Sequence, residues 1–415
     1  MDHTASHARE VDQAAAPPNV EAGGRPFAWY WVWFTLLVSL AVGVGVTIAL
    51  WGHTTAEHSS AFDMGWKSAA AVLAILATFV GVDRLRLAQR EHSRQMVADQ
   101  AARDDAVTRQ ITDLSAKASE QLGSDKAAVR IGGLTDLERL AQTYPELRQT
   151  VVERICAYLR APYQPPPDHA GKESTSKRRP NRLLSPMQSR LLDINDLAES
   201  RLELDVRRTA QQILKRHLYW PAEVVNQPSN YWDRIELDLR DAALVELDLQ
   251  NCRVASADFR NAKFYRTTVF NHAAFTGDVT FQDATFFGRL WFTDSLFMNE
   301  ALFHGASFED ETIFQRATFS MSAFFNRASF AKKADFNHTI IGDAVFYRTH
   351  FGGEVEFGAE FRRNATFEQA VFLTKVNFQD ASVDNPGANH KWPHGWRVEP
   401  DPDTPRGAHR LRREH

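Results

Sequence analysis

A ladder of phenylalanine residues constrains the fold of this 415-residue chain more than any other feature. Of its 28 Phe, 24 lie between positions 259 and 378, and successive ladder positions are separated by alternating steps of six and five residues with few exceptions. The repeating unit is therefore 11 residues long. Neither a helix, with about 3.6 residues per turn, nor a flat strand, with a period of about two, has this spacing, whereas short strands joined at corners do. The ladder phenylalanines, with Ile341 at one further position, are Phe259, Phe264, Phe270, Phe275, Phe281, Phe286, Phe292, Phe297, Phe303, Phe308, Phe314, Phe319, Phe325, Phe330, Phe336, Phe346, Phe351, Phe357, Phe361, Phe367, Phe372 and Phe378.

The residue two places before each ladder position is small. It is Ala at 14 positions, Thr at four, Val at three, and Ser and Leu at one each. A single unit cannot bury a phenylalanine alone, but stacked coils place each ring against the ring of the next coil. The pattern predicts a solenoid with both residues facing inward.

The units themselves resemble a known repeat. Early units such as Leu247-Asp248-Leu249 and Ala257-Asp258-Phe259 are similar to the A-(D/N)-L-x-x unit of the pentapeptide repeat family. Later units such as 326–330 resemble its Phe-centred variant. The resemblance covers residues 234–383. It implies an all-β right-handed quadrilateral β-helix, a pentapeptide-repeat solenoid, C-terminal to an α-helical part of the chain. With the four units per coil that the resemblance implies, a coil has about 22 residues and the solenoid has near seven coils. At about 4.8 Å per coil the rod is expected to be about 33 Å long.

Two apolar runs near the N-terminus predict membrane helices. Phe27–Trp51 holds 25 residues without a charge, and a helix needs about 20 apolar residues to cross a bilayer. The second run, 68–82, has 15 uncharged residues and reaches spanning length if 62–67 contributes. A buried helix of a soluble domain is the alternative.

The residues that flank these runs favour the membrane interpretation. Tryptophan is typical of the interface between a bilayer and water, and arginine is enriched on the cytoplasmic side. The residues expected at the interface are Trp29, Trp31, Trp33, Trp51, Trp66, Arg84 and Arg86. No Lys or Arg lies between Trp51 and Trp66. We therefore expect two transmembrane helices over 27–83 with a short external loop, and both termini on the cytoplasmic side of the inner (plasma) membrane.

The other segments are assigned from composition and periodicity. They are a disordered cytoplasmic N-terminus over 1–26, a stalk helix over 84–122, a helical hairpin over 123–163, a Pro-rich and basic linker over 164–186, a helical segment over 187–219 and a disordered tail over 384–415. The upstream part also resembles bacterial two-span membrane proteins that carry this repeat, through Gly132-Gly133-Leu134 and Leu137-Glu138-Arg139-Leu140-Ala141.

An apolar stripe marks the end of the stalk helix. It consists of Val107, Ile111, Leu114, Ala118 and Leu122. The stripe is either a coiled-coil seam that favours a dimer or the face that packs on the following hairpin. A homodimer through the end of the solenoid is a further alternative.

No pattern of catalytic chemistry is present in the sequence. It has no phosphate-binding glycine loop, no H-E-x-x-H and no G-x-S-x-G. Its two cysteines are 96 positions apart, which excludes a disulfide framework, and Cys156 is expected to be a core thiol. We therefore predict no enzyme activity, no catalytic residues, no cofactor and no metal site. A net charge of −4 excludes a globally basic nucleic-acid binder.

These features favour a membrane-anchored scaffold that presents the solenoid to an unidentified cytoplasmic protein. Some pentapeptide-repeat proteins bind DNA gyrase by mimicking duplex DNA, and this resemblance implies one alternative. Residues 233–384 hold 22 acidic and 15 basic side chains, whereas a duplex of equal length carries about 20 charges. A further alternative is signalling through the helical hairpin with the solenoid as a spacer. A hexapeptide acyltransferase is disfavoured because its period is strictly six.

Overall fold

The computed structural model describes residues 29–51, 58–169, 186–221, 224–400 and 409–414. The chain divides into two compact units, Met1–Ala106 and Val107–His415. The predicted N-terminal segment 1–26 and most of the predicted linker 164–186 lie outside the described residues.

Two long helices make up the part of the first unit that the structure describes. Helix α1 covers Trp29–Trp51, and helix α2 covers His58–Leu122 and continues into the second unit. The predicted second apolar run and the predicted stalk are thus parts of one 65-residue helix. Neither Gly nor Pro interrupts residues 82–122, so nothing in that sequence ends the helix. Among the described residues, no helix has both the length and the apolar character that a membrane crossing requires. The two crossings expected over 27–83 stay a prediction.

Three α-helices follow in the second unit: α3 (Ala127–Thr143), α4 (Arg148–Arg160) and α5 (Pro186–Leu218). A short 3-10 helix, Pro145–Leu147, separates α3 from α4. The apolar faces of these helices share one core, in which Leu137, Ile155 and Leu214 are fully buried.

The apolar stripe of α2 is divided between two environments. Ala118 is buried in the core of the hairpin, whereas Val107 and Leu114 remain 42% and 43% exposed. This favours packing on the hairpin at the C-terminal end of the stripe.

The solenoid is built from short strands in chain order. They are β1 (Glu236–Asp238), β2 (Ala243–Val245), β3 (Arg253–Val254), β4 (Ser256–Asp258), β5 (Lys263–Tyr265), β6 (Thr268–Val269), β7 (Ala274–Phe275), β8 (Val279–Thr280), β9 (Thr285–Phe286), β10 (Leu290–Trp291), β11 (Leu296–Phe297), β12 (Ala301–Leu302), β13 (Ser307–Phe308), β14 (Thr312–Ile313), β15 (Thr318–Phe324), β16 (Ser329–Phe330), β17 (Ala334–Asp335), β18 (Ile340–Val345), β19 (His350–Phe351), β20 (Val355–Glu356), β21 (Glu360–Phe361), β22 (Ala365–Thr366), β23 (Val371–Phe372), β24 (Val376–Asn377) and β25 (Ser382–Val383). A terminal hairpin adds β26 (Trp396–Pro400) and β27 (His409–Arg413).

These strands form four faces of parallel pairs, one strand per coil. Face 1 contains β1, β4, β8, β12, the second halves of β15 and β18, and β22. Face 2 contains β2, β5, β9, β13, β16, β19 and β23. Face 3 contains β6, β10, β14, β17, β20 and β24, and face 4 contains β3, β7, β11, the first halves of β15 and β18, β21 and β25. Seven coils result, as the sequence predicted.

The register explains the spacing of the ladder. Ala274 pairs with Leu296 and Leu296 with Thr318, so one coil is 22 residues there. The five-residue corners turn through a residue with positive φ, such as Asn261 at 57°, and the amide of Ala262 donates to the carbonyl of Phe259 at 3.0 Å. Asn and Asp tolerate this conformation better than most residues. The six-residue corners contain one more residue, so two kinds of corner alternate around each four-sided coil.

The ladder rings stack from coil to coil along the interior. Successive rings in a stack have centroids 4.3–5.2 Å apart and planes within 2–14° of parallel. Rings at different corners of one coil meet edge to face, as Phe259 and Phe270 do at 6.0 Å. Both arrangements suit the quadrupole of an aromatic ring. Ile341 occupies the ladder position of its coil on face 4, in place of a phenylalanine, and is fully buried.

The two ends of the solenoid are covered by different elements. Helices α4 and α5 pack against β1 and β2, so their core is continuous with the ladder. At the other end β27 pairs antiparallel with both β25 and β26. The ring of Trp392 lies 5.7 Å from that of Phe367, and Trp396 meets Phe378 edge-on at 5.0 Å.

This terminal hairpin differs from the disordered tail predicted over 384–415. The physical reason is that the last coil has no coil beyond it, and two tryptophans cover the rings that it would expose. We expect Trp392→Ala to lower the free energy of unfolding by about 2 kcal/mol, because the ring is half-buried against the last coil. Urea denaturation measures this loss. An unchanged midpoint would mean that the hairpin is not a cap.

Both cysteines are buried thiols. Burial raises the pKa of Cys156 to about 12 and that of Cys252 to about 12. A thiol with such a pKa is about 0.01% thiolate near pH 8, and the thiolate is the reactive form. We therefore expect no rapid reaction of the native protein with a thiol reagent near pH 8 and reaction of both thiols after denaturation. Rapid labelling of either native thiol would contradict its placement in the core.

Candidate interaction surface

The structure places the predicted ladder residues on the inside of the solenoid. Of the 22 ladder phenylalanines, 21 are buried, and Phe372 in the last coil is half-buried. These residues form the scaffold and offer nothing to a partner. Among the residues predicted at a membrane interface, the side chains of Trp33, Trp66, Arg84 and Arg86 are exposed. The side chains of Trp29, Trp31 and Trp51 lie outside the described part.

At several corners the small inward residue, two places before a ladder position, is serine or threonine. Ser295 donates to the carbonyl of Phe292 at 2.7 Å, and Thr349 donates to that of Phe325 at 2.7 Å. Thr339 donates to the carbonyl of Phe314 at 3.0 Å. A buried polar group is tolerated when it is hydrogen-bonded, which explains why Ser and Thr replace Ala there.

A buried polar cluster joins the helices to the first coil. His217 is 1% exposed, and its ring stacks on Trp232 at 3.9 Å. Nδ1 faces the carbonyl oxygen of Asn230 at 2.7 Å, and Nε2 faces Oε1 of Glu138 at 2.7 Å. Since a carbonyl oxygen only accepts hydrogen bonds, Nδ1 donates to that of Asn230. Arg216 adds an ion pair to the same oxygen at 2.6 Å.

A second network closes the end of α4. Arg207 is 3% exposed and donates to the carbonyls of Leu159 at 2.9 Å and Ala161 at 2.7 Å. It also pairs with Glu203 at 2.8 Å. The hydroxyl of Tyr158 donates to the same carboxylate at 2.8 Å. The unsatisfied carbonyls at the end of a helix thereby receive a cationic donor.

Several outward charges of the solenoid are paired with a neighbour. Asp294 pairs with Arg316 of the next coil at 2.7 Å, which lowers the pKa of this carboxyl. Asp238 is bonded by Arg240 and by Arg160 of α4, and these two guanidinium groups lower its pKa. Pairs on an exposed surface contribute little to stability, typically below about 1 kcal/mol. Within each pair the two charges offset one another.

On two faces, the outward residue that directly precedes a ladder phenylalanine is apolar in successive coils. The face 1 stripe consists of Leu302, Phe324 and Val345 in successive coils. The face 3 stripe consists of Val269, Trp291 and Ile313. All six are half-buried by their neighbours on the same face. Neither stripe was predicted from the amino-acid sequence. In the sequence, each stripe is marked by an apolar residue at the outward position where most repeats have a polar one.

The histidines among the repeats lie on the surface, but one contacts a stripe. The ring of His304 lies 5.6 Å from that of Phe324 on face 1. Burial lowers the pKa of His304, and the nearby carboxylate of Asp283 opposes that shift. The imidazole is therefore neutral at physiological pH and adds aromatic area beside the stripe. His272 and His338 occupy exposed corner positions with positive φ.

The fold and its surface together define a solenoid repeat protein whose interior is structural and whose faces are exposed. Residues 249–296 and 314–359 match the family model described as pentapeptide repeats in nine copies. The repeat segment over 249–359 is therefore a pentapeptide-repeat solenoid. Neither the curated proteins nor the solved structures yielded a match to this chain.

Proposed function

We propose that this protein is a non-enzymatic scaffold whose solenoid binds another protein. The observation that carries the proposal is the pair of apolar stripes on an otherwise polar surface. Apolar side chains grouped at fixed positions on an exposed face are typical of protein interaction sites. Parallel coils hold each stripe on rigid backbone, so a partner binds without ordering a loop.

We further propose that residues 27–83 hold the scaffold at the inner membrane. The support lies in the sequence: 25 uncharged residues over 27–51, flanking tryptophans and a cluster of arginines after residue 82. The test is extraction of membranes at alkaline pH, which releases peripheral proteins. Retention of the full chain and release of a variant lacking 27–83 is expected. Release of both would contradict anchoring.

The test of the scaffold is a deletion that preserves the core. Removing residues 279–322 takes out two coils, because Val279, Ala301 and Ala323 occupy equivalent positions in the register. Both ends of the solenoid and the helices remain. Proximity labelling of the full-length protein and of this variant identifies the partners of each. Truncation after Leu218 is a poorer test because it exposes the core shared by α4, α5 and the first coils.

Partners lost on deletion of the two coils are the expected result. Gyrase or topoisomerase subunits among them would favour the DNA-mimic alternative. An unchanged set of partners would contradict the scaffold proposal and move the function to the helices. Circular dichroism and thermal unfolding of the variant provide the control for folding, since coils of a solenoid contribute approximately additively to stability.

A further inference from the structure

The two apolar stripes differ in the charges that border them. Next to the face 3 stripe, Arg289 pairs with Glu311 at 3.8 Å and Arg316 pairs with Asp294 at 2.7 Å. The border of that stripe therefore contains charges of both signs in contact with one another.

The face 1 stripe has an acidic border near Leu302. Asp278 and Glu300 occupy equivalent positions in successive coils on one side, and Asp283 lies on the other side beside Gly305. All three carboxylates are exposed, and within the described residues none of them pairs with a cation. Three uncompensated negative charges thus surround one end of an apolar surface.

We propose that the face 1 stripe binds a basic amphipathic α-helix of a partner protein. The apolar side of that helix packs on Leu302, Phe324 and Val345, and its lysines or arginines meet the three carboxylates. This inference rests on the proposed scaffold function and names the face and the chemistry of the partner. Opposite charge around an apolar contact provides both attraction and selectivity.

The backbone of face 1 favours a helical partner over an added strand. The amide of Phe303 donates to the carbonyl of Phe324 at 2.7 Å, and that of Phe325 donates to Val345 at 2.7 Å. The backbone hydrogen bonds between neighbouring coils are therefore already formed. A partner cannot add a strand to this part of the face because it has no free edge. A helix lying along the solenoid axis advances about 5.4 Å per turn, close to the spacing of about 4.8 Å between coils. One helical turn then meets one coil.

The charge pattern also gives the bound helix a direction. Arg327 and Arg348 occupy the corner beside face 1 in later coils, where Arg348 lies over the ring of Tyr347. Asp343 lies beside Val345 but pairs with Arg363 at 2.9 Å. The unpaired negative charges are thus restricted to the Leu302 end of the stripe. The basic residues of the partner are expected at that end, and uncharged or acidic ones near Val345.

The test uses two synthetic peptides and the full-length protein. Both peptides are about 18 residues long, which gives five helical turns, and both carry leucine at i, i+3, i+4 and i+7. One has lysine at the polar positions and the other has glutamate. Fluorescence anisotropy measures binding at about 50 and about 300 mM salt, which changes the screening length about 2.5-fold.

We expect the lysine peptide to bind at least about tenfold more tightly than the glutamate peptide, with the difference reduced at high salt. Phe324→Gln should weaken the lysine peptide by about tenfold or more, as loss of a central aromatic contact does. The matched control is Ile313→Gln on the face 3 stripe, which should change binding less than about twofold. The triple variant Asp278→Asn, Glu300→Gln, Asp283→Asn should remove most of the preference for lysine.

Equal binding of both peptides, no binding of either, or an equal loss in Ile313→Gln would overturn the inference. Circular dichroism verifies the fold of each variant, and Leu302→Gln replaces Phe324→Gln if that variant unfolds. The proposed function is tested separately by the two-coil deletion. Partners lost on that deletion but retained by Phe324→Gln would leave the scaffold standing and refute the role of face 1. Partners retained by the deletion would refute both.

Discussion

Replacing Phe314 by alanine is expected to lower the free energy of unfolding by 3–5 kcal/mol, about the range found for large aromatic residues in cores. Its ring is fully buried, between Phe292 at 5.2 Å and Phe336 at 4.8 Å in the same stack. It also meets Phe303 and Phe325 edge-on. The substitution therefore removes contacts on every side and leaves a cavity that rigid coils cannot close.

The solenoid offers a matched control for this substitution. Phe324 adjoins the ladder in sequence but faces outward, so Phe324→Ala makes the same chemical change at a half-buried position. Its expected loss is about 1 kcal/mol or less. Urea denaturation followed by circular dichroism measures both variants. Equal losses would show that the inward and outward assignments of neighbouring phenylalanines are wrong.

Replacing Glu138 by alanine is expected to lower the free energy of unfolding by about 3 kcal/mol, because it leaves buried polar groups without their hydrogen-bond partner. His217 is 1% exposed and would lose the acceptor that faces Nε2 at 2.7 Å. Arg216 would lose its partner at the same oxygen. Because the ring of His217 stacks on Trp232, the junction between the helices and the first coil should loosen, with a change in tryptophan fluorescence.

Glu138→Gln provides the control for this prediction. A glutamine carbonyl still accepts a hydrogen bond from Nε2, so the expected loss is about 1 kcal/mol. If the alanine and glutamine variants are equally stable, the hydrogen bond to His217 contributes nothing. If neither differs from the parent protein, the buried cluster does not join helices and solenoid.

The repeat was predictable because it depends on local steric requirements. Every coil repeats the same need for an inward ring and a small inward neighbour, so the sequence shows the pattern at 23 positions. The helices were predictable for a related reason. An apolar face such as Ile155 and Leu159, together with a break at Pro145, is visible without knowledge of the partner.

The polar junctions were not predictable because their partners are distant in the chain. Glu138 and His217 are 79 residues apart, and Arg207 reaches the carbonyl of Leu159 across 48 residues. Each of these residues, taken alone, is of a type that is common on the exposed surface of a helix. The cap at the C-terminus was missed similarly, because Trp392 gains its place only once Phe367 and Phe378 form an exposed coil end.

The amino-acid sequence by itself determined the ladder and its inward orientation, because an 11-residue period has few ways to bury its phenylalanines. The four sides and the number of coils followed from the resemblance of its units to the pentapeptide repeat. The sequence also carried the apolar runs on which the membrane proposal depends. The tertiary structure decided which outward residues become neighbours. Residues 22 positions apart meet when the coils stack, so Leu302 joins Phe324 and Asp278 joins Glu300. Residues that become neighbours only when the coils stack are not adjacent in the sequence. The candidate binding face consists of such residues.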